Sequence, residues 1–291
     1  MKFLLYRSWL LFSKSCILIG CIIVLSSCGT RFAYNSLDLI IPWFISDYVS
    51  FNDEQDNLLD KALAQHLQWH RVTQLPLYIK FLDDIQNDVQ TDITYAHVNQ
   101  YYERSQQLWK NLVTQITPDI IKLLKTVNEA QIAELSLTLE EQNDEHRSEF
   151  VDLTNEELHE GRVERMKERF ERWLDELTPE QEKRIELWSH ELRPINQFWL
   201  DNRVQWISLF KSSLKVRDQY QPFHDQIYTL FMNYDQMRAP EYVTALNYNQ
   251  EQTIRLIVDV ENNLKDSQRQ YLIKEVNDLK HDLIKLNKDN E

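Results

Sequence analysis

Glycine is almost missing from this chain. It has three in 291 residues, and two of them, Gly20 and Gly29, sit near the N-terminus. Hairpins and phosphate-cradling loops need residues that take positive φ without strain, which Gly161 alone cannot supply, so an all-α protein is expected. Cysteine is equally scarce, at Cys16, Cys21 and Cys28 only, too few and too badly spaced for a zinc site. Basic charge is short as well: 32 Lys and Arg stand against 46 Asp and Glu, a formal charge of −14. Nucleic acid phosphates demand a basic face, so nucleic acid is excluded as a partner, as is electrostatic attachment to anionic lipid. No Gly-rich phosphate loop and no G-x-S-x-G elbow occurs. Carboxylates are so abundant that no pair singles itself out as acid and base. No catalytic residue, no metal and no cofactor is expected, and the chain does not read as an enzyme. A long apolar run is missing too, because the stretch from Cys16 to Leu25 holds only ten uninterrupted apolar or small residues, where a membrane span needs about twenty.

What that short run does have is a basic head at Lys2, Arg7 and Lys14 and the ending Leu25-Ser26-Ser27-Cys28. The combination resembles a bacterial lipoprotein signal peptide with its lipobox, which implies cleavage before Cys28 and acylation of that cysteine, palmitate being the familiar chain. Residues 1–27 are then a processing segment outside the fold, residues 28–51 a lipid-anchored apolar N-terminal segment, and residues 52–291 a helical bundle domain. Cleavage would remove Cys16 and Cys21, leaving no internal disulfide. It would also remove three basic residues and make the formal charge more negative still. Gly29 after the cysteine, in place of Asp, resembles the sorting pattern of lipoproteins retained in the outer membrane, facing the periplasm.

From Phe32 to Phe51 the chain is strongly apolar, with Tyr34, Leu39, Ile40, Ile41, Trp43, Phe44 and Ile45. Two readings are open. The aromatic residues could lie in the membrane interface, or the segment could be a buried first helix, the favoured reading because so large an apolar patch would otherwise be exposed. Further on, Asn52-Asp53-Glu54-Gln55 is a capping box, and Asn128-Glu129-Ala130-Gln131 repeats its pattern. Prolines at 118, 179, 222 and 240 suit the first turn of a helix, and Pro76 either bends the chain or opens a helix. Val98, Tyr102, Ser105, Trp109, Leu112 and Ile116 alternate spacings of four and three, the seam of a helix packed lengthwise on a neighbour. Such seams predict a multi-helix bundle with long, partly coiled-coil-like helices. Glu164 with Lys167, Glu168 with Arg172 and Glu180 with Arg184 are spaced to pair along one helix surface.

The spacing places Trp188, Trp199 and Trp206 on one apolar stripe that continues across Pro194. The stripe is either core, the favoured reading, or a hydrophobic groove for a partner. Leu272, Val276, Leu279, Leu283 and Leu286 give the last helix heptad spacing, fit to pack antiparallel in the bundle or to pair with a second copy. His66 and His70 share a helix face, but no Glu lies between them in the zinc-protease arrangement and no third ligand is near.

Two resemblances complete the reading. Cys28-Gly29, Arg31-Phe32-Ala33-Tyr34-Asn35, Asp47-Tyr48-Val49, Asp53-Glu54-Gln55, His70-Arg71 and Leu75-Pro76 together resemble a family of uncharacterised proteobacterial lipoproteins, which implies a helical fold and an envelope location without an activity. Leu177-Thr178-Pro179-Glu180-Gln181 matches once the Leu-Thr-x-x-Gln signature of periplasmic stress chaperones of the Spy and CpxP kind. The expectation is a non-enzymatic interaction or envelope-maintenance factor held to the outer membrane by its N-terminal lipid, with envelope proteins as partners. The alternative is a chaperone that binds unfolded proteins.

Overall fold

The computed structural model describes residues 27–288, and among them every regular element is helical, with no strand. The signal segment, including Leu25 and Ser26 of the lipobox, lies outside the described residues. In chain order the α-helices are α1 (Ser27–Asn35), α2 (Leu37–Ser46), α3 (Asp53–Trp69), α4 (Leu75–Asp88), α5 (Tyr95–Leu124), α6 (Glu129–His146), α7 (Asn155–Leu174), α8 (Pro179–Glu191), α9 (Asn196–Leu214), α10 (Tyr220–Met232), α11 (Pro240–Glu261) and α12 (Asp266–Lys288). They group into two compact units drawn from alternating stretches of chain. The first takes residues 27–73, Trp109–Val151 and Phe198–Arg238, the second Gln74–Leu108, Asp152–Gln197 and 239–288.

The core of the first unit forms where Phe223, Ile227 and Leu230 of α10 meet Ile207, Phe210 and Leu214 of α9, with Ile121, Val127 and Leu139 closing around them. Their three-and-four spacing is what one buried helix face requires. In the second unit α12 lies along α4 and α7, and α8 lies against α7 and α11. Arg269 donates to the Val89 carbonyl while Lys280 reaches Asp83 at 2.9 Å and Gln86 at 2.7 Å. Residue numbers therefore rise on α12 as they fall on α4, and the two helices are antiparallel. Leu272, Val276, Leu283 and Leu286 are the buried residues of that heptad stripe.

Helix starts are paired by a device that involves four of them. Phe51-Asn52, Val127-Asn128, Leu177-Thr178 and Leu264-Lys265 are each followed three residues after the second residue by a buried glutamine: Gln55, Gln131, Gln181 and Gln268. In the first unit the Gln55 and Gln131 amides bond each other both ways, at 3.0 and 2.6 Å, and in the second Gln181 and Gln268 do the same at 3.2 and 2.8 Å. Each Nε2 also donates to a backbone carbonyl two residues before the other helix's cap, on Thr126, Ser50, Asn263 and Glu176. Each Oε1 in addition accepts its own cap N–H, from Asn52, Asn128, Thr178 and Lys265. Both protons and both lone pairs of all four amides are thus used. Two helix N-termini brought together repel through their dipoles, which acidic residues in the first turns offset: Asp53, Glu54 and Asp56 on α3, Glu129 on α6, Glu180 and Glu182 on α8, Asp266 on α12. We call each arrangement a glutamine clasp.

Several expected features come out differently. Helix α5 runs unbroken through Pro118. Pro118 is on the exposed side, where the Thr114 carbonyl it leaves without a partner can face solvent. On the same helix Tyr102 and Trp109 are exposed, because Tyr101 and Arg104 face inward instead. Tyr101 donates to Asp88 and meets the Phe81 ring edge-on at 5.5 Å, while Arg104 pairs with Asp84 at 2.6 Å. Pro194 ends a helix rather than kinking one: α8 stops at Glu191 and Leu192 is extended at φ −70°, ψ 140°, while Pro194 disfavours helix at Arg193 and has no N–H to continue the ladder. Two of the expected cations reach across to other helices, Lys167 to Glu182 at 2.6 Å and Arg184 to Asp259 at 2.7 Å, and Arg184 also pairs along α8 with Glu191 at 3.3 Å. With glycine scarce, α7 is stopped by Asp175 at φ 71°, the one positive φ among the described residues.

Candidate functional site

The first turns of the described chain are fixed by residues that the lipoprotein resemblance had picked out. The Tyr34 hydroxyl lies 2.9 Å from His70 Nδ1, Arg71 donates to Asn35 at 3.1 Å, and the Arg71 guanidinium sits 5.0 Å from the centre of the Tyr34 ring. Arg31-Phe32-Ala33-Tyr34-Asn35 and His70-Arg71, distant in sequence, are one contact. Thr30 and Tyr34 are buried, as is His70. Burial first, and the Arg71 charge second, lower the His70 pKa from 6.5 to about 4, so the imidazole is neutral at pH 7. The backbone of Cys28 belongs to α1, two residues before buried Thr30. Any group carried on Cys28 is therefore attached to the folded unit without a tether.

The other face of these helices is where the favoured burial reading fails. Phe32 is 74% exposed, Leu39 72% and Trp43 65%, with Ile40 also exposed, and α2 has no buried residue at all. The chain is nearly continuous between the helices, since the Ser36 amide donates back to Phe32 at 3.0 Å and the Ile40 amide to Ser36 at 2.9 Å. Positions 32, 36, 39–40 and 43 then share one face at helical spacing. Opposite them Thr30, Tyr34, Ile41, Ile45 and Tyr48 turn toward the unit and are buried or half-buried. A helix apolar all round normally has something covering both sides. Here the unit covers one.

The three tryptophans do not form one surface. Trp188 belongs to the second unit, buried, its Nε1 donating to Thr253 at 3.2 Å. Trp199 and Trp206 belong to the first unit and are half-buried. Trp206 stacks on Phe210 with centroids 5.1 Å apart and donates to the Leu230 carbonyl at 3.1 Å. Trp199 covers His146 at 3.9 Å, with Arg203 5.5 Å from the Trp199 ring. Burial, with the Arg203 charge behind it, lowers the His146 pKa to about 4. Trp199→Ala should cost about 2 kcal/mol, less than a fully buried aromatic. It should also raise the His146 pKa toward 6.5, which NMR titration of the imidazole would read. An unmoved His146 would mean that Trp199 is not what covers it.

Three polar groupings that could suggest chemistry are engaged within the chain. His66 is 2.9 Å from Asp119 while His70 faces Tyr34, so the two histidines serve different partners. Among the described residues no group of three or more His, Cys, Asp or Glu is placed to hold a metal ion. Ser189 and His159 are 2.9 Å apart like a nucleophile and its base, but Ser189 is fully buried and its oxygen also accepts from Arg162 at 3.1 Å. A cleft of about 250 Å³ in the second unit is lined by Tyr95, Arg184, Glu191 and Asp259 among others. There Arg184 pairs with Glu191 at 3.3 Å and with Asp259 at 2.7 Å, so each of these two carboxylates already has a guanidinium.

The sequence shows three of the four clasp starts, Asn52 to Gln55 and Asn128 to Gln131 as capping boxes and Leu177 to Gln181 as a chaperone signature, whereas the Leu264 to Gln268 copy lacks a capping side chain and gives no such signal. In the fold the Leu177 copy is a buried helix start. No helix among the described residues is long and apolar enough to cross a membrane. Comparison with known proteins finds one family model, a family of unknown function (DUF6279), matching residues 47–243. No curated protein and no solved structure matches the chain.

Proposed function

We propose that this chain, which belongs to that family of unknown function, is a lipoprotein of the outer membrane that faces the periplasm, holds its first helical unit directly at the bilayer, and acts by interaction with envelope proteins rather than by catalysis. The observation that carries the reading is the join at Cys28. A lipidated residue inside α1, two positions before buried Thr30, would leave no flexible linker, so the first unit would be held directly at the membrane surface. An anchor of that kind suits a factor whose partners lie at the same surface. The buried, Arg162-bonded Ser189 beside His159 and the ion-paired cleft support a non-catalytic role.

Attachment would come from lipid, since an acidic protein gains nothing electrostatically from an anionic surface. Each buried acyl methylene contributes about 0.8 kcal/mol, and two or more chains make the anchoring stable. Cys28→Ala should therefore accumulate as precursor or appear in the soluble fraction, while the wild type fractionates with outer membranes and shows acyl mass on its N-terminal peptide. A wild-type protein with no acyl mass would end this reading.

A further inference from the structure

We infer that the exposed face of α1 and α2, formed by Phe32, Leu39, Ile40 and Trp43, is a second membrane contact that lies in the bilayer interface beside the lipid. The inference rests on the proposal that Cys28 is acylated and adds to it a defined contact surface on the first unit. Three observations select lipid as the occupant. The first is distance: at 1.5 Å rise per helical residue, Phe32 is about 6 Å and Trp43 about 22 Å along the helix from Cys28, so chains inserted from Cys28 bring this face to the headgroups. The second is chemistry. Trp and Phe with aliphatic neighbours suit the headgroup boundary, where an apolar helix face can sink about 5–10 Å without any unpaired backbone group. No Lys or Arg occurs between Arg31 and Lys61, so the contact would work through apolar area rather than through attraction to anionic lipid. The third is that the inner side of the same helices is already fixed by Tyr34 with His70 and Asn35 with Arg71. The outer face can stay exposed without loosening the fold. Asp38 and Asp47, both exposed, flank the apolar stripe and would limit how deep it goes.

Bilayer, protein partner and open solvent can be told apart on the complete mature protein. Leu39→Cys and Trp43→Cys, each spin-labelled, would be reconstituted in phosphatidylethanolamine–phosphatidylglycerol vesicles, with Leu137→Cys as reference. Leu137 is 62% exposed, on α6 of the same unit. All three positions are surface positions, so labelling should leave the fold intact. The expected result is that labels at 39 and 43 collide readily with oxygen and poorly with a water-soluble nickel chelate, the ratio exceeding that at 137 several-fold. Equal access of the nickel chelate at all three positions would overturn the inference, and so would protection from both reagents at 39 and 43, which would mean a protein cover. Mass spectrometry of the N-terminal peptide of the same samples reads acylation separately. Acyl mass with solvent-exposed labels sinks this contact alone, whereas immersed labels without acyl mass sink the lipoprotein reading and leave the contact standing.

Discussion

Glu261→Gln should stabilise the second unit by about 3 kcal/mol at pH 8 and leave it unchanged near pH 4.5. Glu261 is the last residue of α11 and is buried, its Oε1 without a hydrogen-bond partner. Burial raises its pKa from 4.5 to about 7, against a smaller opposing pull from Arg269. A carboxylate at the C-terminus of a helix also meets the negative end of the dipole. Because the folded chain holds this proton more tightly than the unfolded chain, the contribution of Glu261 is fully favourable below pH 4.5 and is lost as pH rises through 7. The shift converts at 1.36 kcal/mol per pKa unit to about 3 kcal/mol. Urea unfolding of wild type and variant at the two pH values measures the difference directly, and equal effects at both would refute the account. His70 and His146, in the first unit, act with the opposite sign. Their pKa values are lowered to about 4, so the stability they contribute is present above pH 6.5 and is lost as pH falls toward 4. Acid should loosen the first unit while it relieves the second.

Gln131→Ala should cost about 4 kcal/mol, an unusual loss for a polar residue. The substitution leaves three sets of groups without partners: the buried Gln55 amide, and the Asn128 N–H and Ser50 carbonyl, whose bonds to Gln131 are part-buried. Each such group costs about 1–3 kcal/mol when its partner is removed. The diagnostic is coupling. Once one amide of the clasp is gone the other has little left to lose, so the double variant Gln55→Ala/Gln131→Ala should be far less destabilised than the sum of the single ones. Strict additivity would show that the two glutamines are ordinary caps acting independently. The same cycle on Gln181 and Gln268 should give the same coupling, because their bonds follow the same scheme.

The fold class was legible from scarcity alone, since a chain almost without glycine has few ways to turn back on itself as hairpins. Capping boxes were legible too, because Asn52 with Gln55, Asn128 with Gln131 and Thr178 with Gln181 act over three residues of one chain, and so was the heptad stripe of α12. The rotation of α5 was not. Tyr101 and Tyr102, or Leu108 and Trp109, fit a three-and-four seam equally well, and the choice is made by Asp84 and Asp88 on another helix. The two faces of α1 and α2 were hidden for a similar reason: hydropathy marks the segment as apolar all round, and only the packing of Tyr34 against His70 decides which side turns inward. Interactions within one turn of one chain leave a local pattern, so the sequence by itself determined the helices and their starts. Which glutamines clasp, which carboxylate is buried unpaired at Glu261, and which aromatic residues remain outside at Phe32 and Trp43 depend on groups far apart along the chain. Those were decided only by tertiary structure, where a side chain takes its energy from whatever neighbour the fold brings to it.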